Sequence, residues 1–145
     1  MSGPRVILAG AVGSTLHTLQ ALLKHNIQVV GTAGLDPRKA EGVSGYVDMN
    51  QKTEKAGITA TTFVNINDES CIRWIRSKEP DVLFVVGLSQ LVKKELLNVA
   101  RIGNIGFHPT LLPIGRGRAP LVWVTEDRQA GAATFFVVFF LNRDD

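Results

Sequence analysis

Apolar residues fall along this chain in two alternating rhythms, short unbroken runs and stripes at helical spacing. Val6 to Ala9 is a β-branched apolar run and predicts a buried strand. It ends in Gly10-Ala11-Val12-Gly13-Ser14, a small-residue turn into a helix that Ser14 is suited to cap, with Leu16, Leu19, Leu22 and Leu23 along one face. Ile27 to Thr32 predicts a second strand, and Gly34 to Gly45, interrupted by Asp36-Pro37, a loop. Asp48 to Ala56 reads as a helix stopped by Gly57, and Thr59 to Val64 as a third strand. A helix over Asp68 to Ser77, capped by Asn67, turns Cys71, Ile72 and Ile75 inward.

The clearest strand is Asp81 to Gly87, apolar after its first residue, as in a parallel sheet covered on both faces. Lys93 to Val99 predicts a short helix and Ile102 to Phe107 the next strand. Pro120 to Thr125 opens another helix, with proline in its first turn, and Ala132 to Leu141 is a long apolar strand. Strands and helices that alternate without repeats or a linker predict one α/β domain over residues 1–145. Its architecture is a doubly wound, mostly parallel sheet with helices on both faces.

Composition changes this picture little. Hydrophobic residues make up 45% and charged residues 20% of the chain, the proportions of an ordinary globular domain. The net charge of +3 is carried by scattered basic residues. That favours an anionic small molecule as partner over a nucleic-acid footprint. A single cysteine, Cys71, precludes an internal disulfide and fits a reducing cytosol; its expected place is the core, because no base is set beside it. The stretch before Val6 is too short for a signal peptide, and no apolar run reaches the ~20 residues of a membrane helix. A cytoplasmic protein without a membrane partner is expected.

Three places carry candidate chemistry. The turn Gly10-Ala11-Val12-Gly13, with Asp36 near the end of the second strand, invites a dinucleotide reading. It offers Gly-x-x-Gly where the fingerprint wants Gly-x-Gly-x-x-Gly, so an NAD-binding module is only an alternative. Val86-Gly87-Leu88-Ser89 leaves the strongest strand at the end where doubly wound sheets bind ligands. His108 stands at the exit of a buried strand, ahead of a loop that Pro109, Pro113 and Pro120 keep irregular. Arg116 and Arg118, on either side of Gly117, are suited to an anionic acceptor such as a phosphate. No metal is expected.

The stretch from Gly106 to Trp123 resembles the signature of the folate-dependent formyltransferases, roughly Asn-x-His-Pro-Ser-Leu-Leu-Pro, then Arg-Gly, then Pro and Trp. His108, Pro109, Leu111, Leu112, Pro113, Arg116, Gly117, Pro120 and Trp123 fall in step with it, Thr110 replaces serine, and Gly106 stands where the family has asparagine. The resemblance implies a Rossmann-like catalytic domain that moves a formyl group from 10-formyltetrahydrofolate to an amine. In such an enzyme the histidine assists proton transfer and stabilises the tetrahedral oxyanion, an asparagine donates a hydrogen bond, and an aspartate downstream holds the histidine. Carried onto this chain, the roles go to His108, to Asn104 as the substitute donor, and to Asp144, with Asp145 as the fallback. Asn104 lies four residues from His108, roughly 13 Å along a strand, so it serves only if a bulge shortens that distance.

By the same resemblance, Val86, Gly87, Leu88 and Ser89 wall the folate pocket and Arg116 faces the acceptor. The acceptor is expected to be a small anionic amine, with an aminosugar nucleotide favoured. Methionyl-tRNA is disfavoured, because no RNA-binding domain follows and the charge is not clustered. Measured against the family, the chain is expected to be cut short after Asp145, and a homodimer is left open. The non-enzyme alternative is a folate-binding scaffold impaired by Gly106.

Overall fold

A computed structural model of the chain describes residues 3–108 and 137–141, with the side chains of His108 and of residues 137–141 left out of account. Six strands form one sheet: β1 (Arg5–Ala9), β2 (Gln28–Leu35), β3 (Ala60–Phe63), β4 (Val82–Val85), β5 (Gly103–His108) and β6 (Val137–Leu141). The order is β3-β2-β1-β4-β5-β6, with β1 to β5 parallel and β6 antiparallel to β5. The strand order reverses direction between β1 and β4, so the sheet is doubly wound as its alternating pattern requires. Among the described residues, four α-helices lie between the strands: α1 (Gly13–Lys24), α2 (Met49–Glu54), α3 (Glu69–Ser77) and α4 (Lys94–Leu97).

Each face of the sheet has its own core. Ile7, Ala33, Leu35, Phe63 and Leu83 pack against Cys71, Ile72 and Ile75 of α3 and Leu96 of α4. Leu8 and Val86 pack against Leu19 of α1 and Met49 of α2. Ile7, Leu8 and Leu83 have no exposed surface, which explains why the central strands read as unbroken apolar runs rather than alternating ones. Cys71 is buried among these side chains, and burial pushes its thiol up to about 11. The packing role expected for it holds.

Several local readings change. β2 runs on to Leu35, past the predicted end at Thr32, because the small residues Ala33 and Gly34 fit between β1 and β3 and pair with Ala9 and Thr62. Ser14 does not cap α1. Val12 holds the cap position, and its N–H is taken by the Thr15 hydroxyl instead. Asn67 does not cap α3 either; Asp68 takes that position and Asn67 is spent on a neighbouring loop. The predicted helix over Pro120–Thr125 and the start of the strand predicted from Ala132 lie outside the described residues.

Candidate functional site

At the carboxyl edge of the sheet, where the strand order reverses, the ends of β1, β4 and β5 come together. β1 and β4 are neighbours because Val6 to Ala9 register with Val82 to Val85, and β4 and β5 because Val85 registers with Gly106. His108 is the last residue of β5, and its backbone pairs with Val137. Val86, Gly87, Leu88 and Ser89 leave β4 at the same carboxyl edge of the sheet.

Two glycines let the β1–α1 turn and the β4 exit meet. A β-carbon on Gly10 would stand 1.9 Å from the Val86 carbonyl oxygen. Gly87 has φ +69, and a β-carbon there would meet Val12 Cγ2 at 2.5 Å and Thr15 Oγ1 at 2.6 Å. The buried Thr15 hydroxyl joins the two segments: it donates to the Val86 carbonyl at 2.7 Å and accepts the Val12 N–H at 3.2 Å. Val86 N–H in turn donates to the Ala9 carbonyl, and Ala11 N–H to the Gly87 carbonyl. The loop after β2 closes the other side, with Val47 N–H on the Ala11 carbonyl and the Tyr46 hydroxyl donating to the Leu35 carbonyl at 2.9 Å.

That arrangement decides the dinucleotide alternative. The amides of Gly10, Ala11 and Val12 donate to Ala33, Gly87 and Thr15 respectively, so the turn points its donors into the protein. Asp36 is held by Arg38, whose guanidinium makes a fork onto both carboxylate oxygens and lowers the carboxyl to about 2. The first three amides of the turn and the Asp36 carboxylate, two features that invited the dinucleotide reading, are thus engaged within the protein.

Asn104 requires a correction. It lies near the opposite end of β5, fully buried, with Nδ2 donating to the Leu97 carbonyl of α4 at 2.7 Å. From Asn104 to His108 the pairing with β6 advances one residue at a time without a bulge, so the shortening that would have brought Asn104 to the histidine is absent. Its amide secures α4 instead. Gly106, at the position of the family asparagine, pairs with Val85 on one side and Phe139 on the other. Asp144, Asp145, Arg116 and Arg118 lie outside the described residues.

Of the pocket-wall residues, Val86 is buried, Gly87 and Leu88 are half-buried and Ser89 is exposed. Below the edge, a cavity of about 180 Å³ opens between α1 and strands β4 and β5. Among the described residues its walls are Phe84, Val86, Ile105, Gly106 and Phe107, with Ser14 and Thr18 on the helix side. Sequence reasoning did not single out Thr15 or Gln90, and gave Asn67 only the role of a helix cap. Gln90 and Asn67 tie the segment after Gly87 to the loop after β3, and only the polar residues in otherwise apolar surroundings hinted at it.

Residues 6–141 match the family described as Formyl transferase. Methionyl-tRNA formyltransferase of Clostridioides difficile (strain 630) is 29% identical over 146 residues, covering 97% of this chain and 47% of that protein. The chain therefore spans about half the length of the curated relatives it matches. Among solved structures, phosphoribosylglycinamide formyltransferase from Bacillus halodurans superposes with a TM-score of 0.72 at 14% identity, covering 97% of this chain and 73% of that one. A formyltetrahydrofolate deformylase from Pseudomonas putida KT2440 superposes with a TM-score of 0.59 at 17% identity, covering 86% and 44%. At such identities the superpositions speak for the fold, while the family match runs from β1 to β6. This chain belongs to the formyl transferase family.

Proposed function

We propose that this chain is the donor-binding and catalytic part of an enzyme that moves a formyl group from 10-formyltetrahydrofolate to an amine. The reading is supported by β5 ending at His108 and β4 ending just ahead of Val86–Ser89 at the one edge where doubly wound sheets bind ligands, within a family match over residues 6–141. The described residues fit a flat, partly apolar donor. Leu91, 81% exposed, stands on the segment that leaves β4, beside half-buried Leu88.

His108 is the acid/base group in this reading, since imidazole titrates near neutral pH and can relay the proton lost by the attacking amine. Asp144 is the carboxylate that orients it, and Arg116 receives the acceptor's anionic part. The acceptor is an amine on a phosphate-bearing molecule. That class includes the aminosugar nucleotide that the family resemblance suggests. It also includes the acceptors named in the relatives, methionyl-tRNA and phosphoribosylglycinamide. The argument against tRNA from a missing RNA-binding domain lapses for a chain that spans about half of such relatives.

His108→Ala tests the assignment. Formyl transfer to the best acceptor of a panel drawn from these three classes should fall by about 10²–10⁴, with donor affinity retained. Transfer equal to that of the parent would remove His108 from the chemistry.

A further inference from the structure

The segment between Gly87 and α4 is gripped by two side-chain amides that use both of their ends. Gln90 reaches to the loop after β3, where its Oε1 accepts the N–H of buried Ile66 at 2.7 Å and its Nε2 donates to the Val64 carbonyl at 2.8 Å. Asn67 reaches the opposite way, with Nδ2 donating to the Leu91 carbonyl at 2.8 Å and Oδ1 accepting the Lys93 N–H at 2.8 Å. Each carboxamide thus bridges two backbone groups two residues apart on the other loop, joining the loops after β3 and β4, strands that are not neighbours in the sheet. The loop after β3 is itself braced, because Asp68 accepts the Asn65 N–H and Asn65 accepts the Asn67 N–H. Between the two grips Leu91 is held out toward solvent.

We propose that Gln90 and Asn67 are positioning residues for the formyl donor: their reciprocal clamp holds residues 88–93 in the conformation that walls the donor pocket. A segment with an exposed leucine and a left-handed glycine at its entrance would otherwise have to be ordered on binding, which lowers affinity. This inference rests on the donor-site reading given under Proposed function. It adds that the loop after β3, which that reading gives no part, sets the strength of donor binding.

The test uses the full 145-residue chain and 5-formyltetrahydrofolate, a stable isomer of the donor, with binding measured by calorimetry and loop order by amide hydrogen exchange. Gln90→Met and Asn67→Ala should each weaken binding about tenfold, the effect of losing roughly one to two net hydrogen bonds. Exchange should rise in residues 88–93. Thr59→Ala is the control: it removes a hydroxyl that donates to the Val30 carbonyl at 3.0 Å, at the amino end of β3, and should leave affinity unchanged. Parental affinity in Gln90→Met or Asn67→Ala, whichever folds, would overturn the proposal while leaving the donor site standing. An equal loss in Thr59→Ala would also overturn it, by exposing general destabilisation as the cause. A parent chain that does not bind the ligand would refute the donor-site reading itself, and this proposal with it.

Discussion

Individual residues at the carboxyl edge are fixed by contact distances rather than by preference. The missing side chain of Gly10 lets the first turn lie against the Val86 carbonyl, and a methyl group there would overlap that oxygen at 1.9 Å. Gly10→Ala should therefore destabilise the chain by about 3 kcal/mol, read as a lower urea midpoint at unchanged slope. Cys71 offers the opposite case, a reactive group made inert by its surroundings. Its thiol, pushed up to about 11 chiefly by burial and further by the Asp68 carboxylate, should resist a disulfide reagent at about pH 8 and react at once after unfolding. Rapid labelling of the folded chain would show that this part of the core opens readily.

Between elements, a few hydrogen bonds do the joining. Thr15 ties α1 and the first turn to the end of β4 through two bonds. Thr15→Val keeps the shape but leaves the Val86 carbonyl and the Val12 N–H without that partner. A loss of about 2 kcal/mol is expected, with much less for Thr15→Ser. At the other end of the sheet Asp81 joins β1 to the segment before β5, accepting the Arg5 N–H at 2.8 Å and the Arg101 guanidinium at 2.7 Å. Those bonds hold its carboxyl below the ordinary 3.8, the Arg5 N–H contributing most. A group lowered on folding stabilises above its unfolded value and loses that contribution as pH falls through the folded one. Asp81→Asn should accordingly flatten the stability profile below pH ~4 relative to the parent, as followed by circular dichroism during acid titration. An identical acid transition in both would mean the bonds contribute nothing net.

For the molecule as a whole, the sheet order places the ends of β1, β4 and β5 together, at the edge where the donor is proposed to bind. A donor bound at this edge stabilises only the folded chain. 5-Formyltetrahydrofolate at about 100 times its Kd should raise stability by roughly 2.7 kcal/mol, visible as a higher Tm. No rise in a chain shown to be folded would separate the fold of the family from its donor binding. The two cores, one under each face of the sheet, give that junction its rigid base.

The alternation of apolar runs and helical stripes by itself determined the α/β class, the buried parallel strands and the position of His108 at a strand exit. These follow from periodicity, which acts over a few residues. The signature from Gly106 to Trp123 added the family, because its prolines and arginine recur at fixed spacing around the histidine. What only the tertiary structure decided depends on pairings between distant residues. Val6 to Ala9 lie beside Val82 to Val85, so Gly10 meets Val86 and Thr15 can reach its carbonyl. Asn104 shares a strand face with the histidine by period-two spacing, yet its amide meets the Leu97 carbonyl of α4. Gln90 looks like a surface glutamine until the loops after β3 and β4 stand side by side, 24 residues apart in sequence, as the bond to Ile66 requires. Local spacing cannot encode such contacts, because a side chain's partner is set by which strands become neighbours and in what register.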